Sequence, residues 1–162
     1  MSVKNEVPLK NKLVTLDCNV FLLYLVGNLD KKHISLFKRT QIFTEEDFEI
    51  LSLLIKGSQL MISPNVATEA SNLLESYTFD KEKTGLIALQ NACQLIPEMY
   101  ESSKRLSNHE TFFKYGLSDA SIANLCQAGA VAITVDFPLY GFLSSKNLKV
   151  INFNHIRGAY LL

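Results

Sequence analysis

Two aspartates in this chain sit at the ends of apolar runs. Asp17 follows LVTL at 13 to 16, and Asp136 follows AVAITV at 130 to 135. A carboxylate just beyond a buried strand is costly unless it is paired or holds an ion. Two further acids, Glu69 and Asp119, fall in the early turns of segments with helical spacing. In a sheet whose strands alternate with helices, strand ends and helix starts share one edge, so all four acids can converge there. Close carboxylates repel one another, and some stay protonated. A divalent cation removes that conflict. All-oxygen ligation suits Mg²⁺ or Mn²⁺ rather than Zn²⁺, and such a centre commonly serves phosphoryl transfer. Singly, each acid has an ordinary structural role: Asp119 at a helix N-terminus, Glu69 on a solvated helix face, Asp17 and Asp136 in turns after strands.

The elements that must position these acids follow from periodicity and capping residues. Leu13 to Leu16 reads as a central strand buried on both faces, and Val20 to Val26 as a buried helix stopped near Gly27. Asp30 to Arg39 reads as a second, more polar helix. Thr44 caps a helix with Glu45, Glu46 and Asp47 in its first turn and Gly57 at its end. Leu60 to Ile62 is a short strand, and Ser63-Pro64 opens the next helix. Asp80 heads a long helix through Ile96, which Pro97 either kinks or ends. Ser107 and Glu110 match a capping box that opens a short helix through Phe112 and Phe113, ended by Gly116. Ser118 caps a helix from Asp119 to Ala128, and Gly129 ends it. Ala130 to Val135, a short helix over Leu139 to Leu143 and a last strand over Leu148 to Phe153 complete the chain. Alternating strands and helices predict an α/β fold: a three-layer α/β/α arrangement around a central, mostly parallel sheet of four to five strands.

The 162 residues fit a single domain spanning 1–162. Lys plus Arg and Asp plus Glu both number 16, so net charge is zero, which disfavours coating of nucleic acid by bulk charge alone. Cys18, Cys93 and Cys126 are odd in number and form no CxxC pair, which disfavours disulfides and a thiolate zinc site. His33, His109 and His155 show no ligand spacing. Residues 1–12 lack the apolar region of a secretory signal, and no run is apolar enough to span a bilayer, so a cytoplasmic protein without membrane attachment is expected.

The chain resembles the PIN-domain nucleases, metal-dependent ribonucleases that include toxins of toxin–antitoxin pairs. The resemblance is carried by LDCNVFLLYL at 16–25, SPNVATEASNLL at 63–74, GLSDASIANLCQAGAVAITVDFPLYGFL at 116–143 and LKVINF at 148–153. It implies a PIN-like fold and an endoribonuclease with Mg²⁺ or Mn²⁺ held by Asp17, Glu69, Asp119 and Asp136. Asn19 matches the family's Asp-x-Asn, whose amide helps hold the site. Thr134 matches its Ser/Thr-x-Asp, whose hydroxyl supports the carboxylates. RNA as substrate, an antitoxin protein and a second copy of the chain are the implied partners. Two departures stand out: Leu95 to Ser103, with Pro97, reads poorly as the strand usually found before the third acid, and Asp30 to Lys56 is long enough for an extended helical clip.

Two other classes compete. A non-catalytic PIN-like interaction module would tolerate loss of an acid, yet all four positions are filled. A phosphatase of the haloacid dehalogenase type wants a second aspartate where Asn19 stands. The cations available to a polyanion are Lys31, Lys32, Lys38, Arg39, Lys104, Arg105, Lys114, Lys146 and Arg157. Phe112, Phe113 and Tyr115 read as packing residues, with base stacking as the alternative.

Overall fold

A computed structural model describes residues 8–160; the polar segment 1–7 lies outside them. Four parallel strands form one sheet in the order β2-β1-β3-β4: β1 Leu13–Leu16, β2 Gln59–Leu60, β3 Val131–Thr134 and β4 Val150–Asn152. Nine helices among the described residues flank it in an α/β/α arrangement: α1 Cys18–Leu29, α2 His33–Leu36, α3 Glu45–Leu54, α4 Pro64–Leu74, α5 Thr84–Leu95, α6 Ser103–Leu106, α7 Phe112–Gln127, α8 Phe137–Ser145 and α9 Phe153–Tyr160. The largely apolar character of β1 and β3, each with one threonine, suits their central places, where helices cover them; α1 and α7 each pack on both. None of the described helices is long and apolar enough to cross a membrane.

The strand order sets the location of the site. From β1 the chain crosses to β2 on one side, then returns past β1 to β3 on the other. The order therefore switches direction between β1 and β3, where the loops leaving their carboxyl ends part and open a crevice. Val14, Thr15 and Leu16 pair with Val131, Ala132 and Ile133, so Asp17 and Asp136 leave the sheet side by side.

Several elements differ from the sequence expectation for physical reasons. Gly27 lies inside α1, which runs on to Leu29. A Cβ at Gly27 would stand 2.0 Å from the Phe48 ring of α3, so this glycine is a notch for a packed helix pair rather than a stop. Gly27→Ala is expected to cost about 1–3 kcal/mol through overpacking, read as a lower urea midpoint. The helix expected over Asp30 to Arg39 shrinks to the single turn α2. Asp30 instead folds back on the Lys32 N–H at 2.9 Å, and Thr40 ties the following loop to the Ile34 carbonyl at 2.8 Å. The segment from Asp30 to Lys56 holds two separate helices, α2 and α3.

The region around Pro97 contributes one bridge, between Ile62 and Glu98, in place of a fifth strand. Pro97 accepts from the Ile62 N–H at 3.0 Å but has no N–H to return, and Met99 supplies the only reciprocal bond, at 2.9 Å. Thr44 and Asp47 form the capping box of α3. The Ser107–Glu110 box does not form: Ser102 caps α6, Thr111 heads α7, and Glu110 pairs with Lys146 at 3.1 Å. Asp80 sits ahead of α5 and accepts from the Thr84 side chain and backbone, while Lys83 occupies the cap in a left-handed conformation.

Helix α9 was not expected. Its Arg157 reaches back to buried Asp47 at 3.2 Å, donates to the Ile42 carbonyl at 2.7 Å and lies over the Phe43 ring. Arg157 is thereby committed to the fold rather than offered to phosphate. Lys31, Arg105 and Lys146 are also paired, with Glu49, Glu101 and Glu110. The cations left for a polyanion are fewer than the sequence suggests.

Candidate functional site

The first acid is placed by the end of a strand and the start of a helix together. Asp17 follows β1 and caps α1, its Oδ1 accepting from the Val20 N–H at 2.8 Å. Its Oδ2 accepts from the Thr134 hydroxyl and from the Val135 N–H at 2.9 Å. The residue is only 4% exposed. Burial pushes its carboxyl above the ordinary aspartate range; the donors from Thr134, Val20 and Val135 oppose the shift, and Asp136 adds to it.

Thr134 connects the two strand-end acids. Its hydroxyl donates to Asp17 and accepts from the Asp136 N–H at 2.9 Å, so one buried oxygen fixes both positions across β1 and β3. Thr134→Val removes both bonds in a site too buried for water to replace them. The expected loss of stability is about 1–3 kcal/mol, measured by urea unfolding; an unchanged midpoint would show that the bridge contributes nothing.

Asp136 caps α8 through Oδ1, which accepts from the Leu139 N–H at 2.8 Å. Asp119 reaches the site because α7 is broken at Gly116, whose φ of 85° and ψ of −173° lie outside the helical region. That backbone conformation is open essentially to glycine alone. The chain resumes helical geometry beyond it, and Asp119 falls in the first turn after the break. Ser118 takes part through its carbonyl, which accepts from the Ser121 hydroxyl at 2.6 Å. Glu69 projects from the second turn of α4 and is exposed, with no hydrogen bond or ion pair among the described residues.

Asp17, Glu69, Asp119 and Asp136 line one cleft of about 300 Å³, together with Asn19 and Cys18. Asp119 registers this company. Burial, followed by the charges of Asp136, Asp17 and Glu69, pushes its carboxyl up to about 7. Cys18 was missed as a cleft residue, and nothing in its spacing marks it; its thiol is pushed well above its usual range by burial and by Glu69, Asp17 and Asp119. It is therefore held as a neutral thiol and not as a nucleophile. Asn19 lies at the cleft as an exposed side chain without a hydrogen bond among the described residues. His155 packs edge-on against Tyr140, and His109 bonds Thr111, so neither enters the cleft.

The donor set fits a hard divalent cation by kind and by charge: four carboxylates at a switch-point crevice, no cation among the cleft's lining residues, and one acid pushed up to about 7 by burial and by the other three. The side chains are not drawn into a ready ligand cage. Among the described residues, no group of three or more His, Cys, Asp or Glu is gathered closely enough to hold a metal ion. Both oxygens of Asp17 and one of Asp136 are turned to protein donors, because each residue caps the helix that follows it and Asp17 also accepts from Thr134 and Val135. Comparison with models of known protein families, with curated protein sequences and with solved structures finds no match to this chain.

Proposed function

We propose that the chain is a Mg²⁺- or Mn²⁺-dependent endoribonuclease. The observation that carries this reading is the convergence of Asp17, Glu69, Asp119 and Asp136 on one crevice at the β1–β3 switch point. Burial in that crevice, together with repulsion from the other three acids, pushes the Asp119 carboxyl up to about 7. The order and spacing of these acids also match the PIN-domain pattern described above. Asp17, Asp119 and Asp136 would hold the cation, with Glu69 beside them. Bound there, a divalent cation neutralises charge on a phosphodiester and makes a water nucleophilic at neutral pH.

The chain's own residues divide the remaining work. Asp17 and Asp136 stand on rigid strand ends, locked together through the Thr134 hydroxyl. Glu69 is exposed and uncommitted, so its carboxylate is free to orient the attacking water and accept its proton. Asp119 gives up its proton as the cation arrives, so cation affinity rises with pH through about 7. The test is cleavage of an unstructured RNA by protein stripped with EDTA, alone and after Mg²⁺ or Mn²⁺ is restored. Cleavage that returns only with the cation supports the proposal; equal cleavage in EDTA refutes it.

A further inference from the structure

The acidic cleft continues past Glu69. A second groove of about 380 Å³ shares Glu69, Leu117 and Ser118 with it and runs between α4 and the segment that opens α6. The lining changes character there. Asn65, Thr68 and Asn72 stand at i, i+3 and i+7 of α4 and so share one helix face. Ser103 and Tyr100 complete the wall, and Tyr100 is 74% exposed. None of these five side chains hydrogen-bonds to another of the described residues, and Tyr100 has no aromatic neighbour among them. The one further acid in the groove, Glu101, is already engaged by the Ser102 N–H at 2.8 Å and by Arg105 at 3.6 Å.

Core packing does not explain a ring this exposed, and helix stability does not explain two asparagines on a helix face. Uncharged amides offer a donor and an acceptor side by side, which is what the edge of a nucleobase presents. A bare phenol ring offers a stacking face to any unpaired base. Lys104, in the single turn of α6, directly follows the groove residue Ser103 and is the nearby cation in sequence for a flanking phosphate. We infer that this groove is a base-binding subsite for one unpaired nucleotide next to the scissile phosphate. Tyr100 stacks on the base, and Asn65 and Asn72 read its edge. The identity of the polymer rests on the nuclease reading above; the groove's chemistry does not.

Two measurements test it together. The first is fluorescence anisotropy of a labelled unstructured RNA of ten nucleotides with Ca²⁺ present. Tyr100→Ala is expected to weaken binding about tenfold and Tyr100→Phe to keep it; duplex RNA of the same sequence is expected to bind more weakly than the single strand. The second maps cleavage positions in a randomised RNA with Mn²⁺, where Asn65→Ala and Asn72→Ala are expected to flatten base preference beside the cut and raise KM. All three side chains are at the surface, and far-UV circular dichroism checks that the variants fold. Unchanged affinity in Tyr100→Ala, or equal binding of duplex, overturns the subsite, as does unchanged base preference in both asparagine variants. Those failures with cleavage intact leave the nuclease reading standing. Binding lost in Tyr100→Ala, with no cleavage by wild type under either cation, supports the subsite and removes the nuclease reading.

Discussion

Without divalent cations, Asp119→Asn should make the protein more stable at pH 8 and leave its stability unchanged at pH 4. The Asp119 carboxyl is pushed up to about 7 in the folded chain, first by burial and then by Asp136, Asp17 and Asp119's third acidic neighbour, Glu69. In the unfolded chain it returns to the ordinary aspartate value near 4. Between those values the folded state holds a proton that the unfolded state has lost, so stability falls as pH rises through the window. A shift of about three pH units corresponds to roughly 4 kcal/mol, an upper figure for a side chain that is not fully buried. Asparagine has the same shape and no charge, so it flattens this part of the profile. Urea midpoints from pH 4 to pH 8 decide the matter: parallel profiles for wild type and variant would show that neither burial nor the neighbouring acids raise the Asp119 carboxyl.

The second large effect is stabilisation by cation. Mn²⁺ at about a hundredfold over its dissociation constant should stabilise the wild type by about 3 kcal/mol, a rise in Tm on the order of 5–10 °C for a domain of this size. Asp17→Asn should lose most of that rise. The exchange itself has opposing costs. An amide at position 17 still offers one oxygen to the Thr134 hydroxyl and Val135 N–H, but its nitrogen then faces the Val20 N–H. That mismatch costs about 1–3 kcal/mol, offset by removal of a charge that burial already disfavours. The variant therefore remains folded, and its lost response reports on the site. An equal Tm rise in both proteins would place the cation elsewhere.

The parts of the fold that were legible are those coded locally. Strand β1 matches its expected bounds, and β3 is two residues shorter; each run is apolar apart from one β-branched threonine, which suits a strand. The caps at Thr44 and Ser63 form as expected because each side chain reaches only three residues along its own chain. What was not legible depends on distant partners. Gly27 looks like a helix stop until Phe48 is seen against it. Helix α9 has no sequence signal comparable to the ion pair its Arg157 makes with Asp47, more than a hundred residues away. Ser107 and Glu110 have the spacing of a capping box, yet Ser102 starts α6 first and Glu110 turns to Lys146.

The candidate site divides the same way. Residue type and strand endings point to Asp17, Asp136, Asp119 and Glu69, and parallel topology brings them to one cleft. The sequence is silent on which oxygens remain available. Hydrogen bonds already occupy both oxygens of Asp17 and one of Asp136. The backbone break at Gly116, which delivers Asp119, looks in sequence like the end of one helix and is instead a kink within α7. Zero net charge, which argued against a nucleic-acid partner, describes a chain whose acids are partly concentrated in this cleft.

The most direct test of the central claim is a time course of unstructured RNA cleavage at pH 7.5 in Mn²⁺, run with wild type and Asp17→Asn at equal concentration. Four carboxylates acting through a bound cation predict cleavage by the wild type and a loss of more than about a hundredfold in the variant, beyond what removal of a merely supporting group costs. Equal rates in the two proteins would contradict the account.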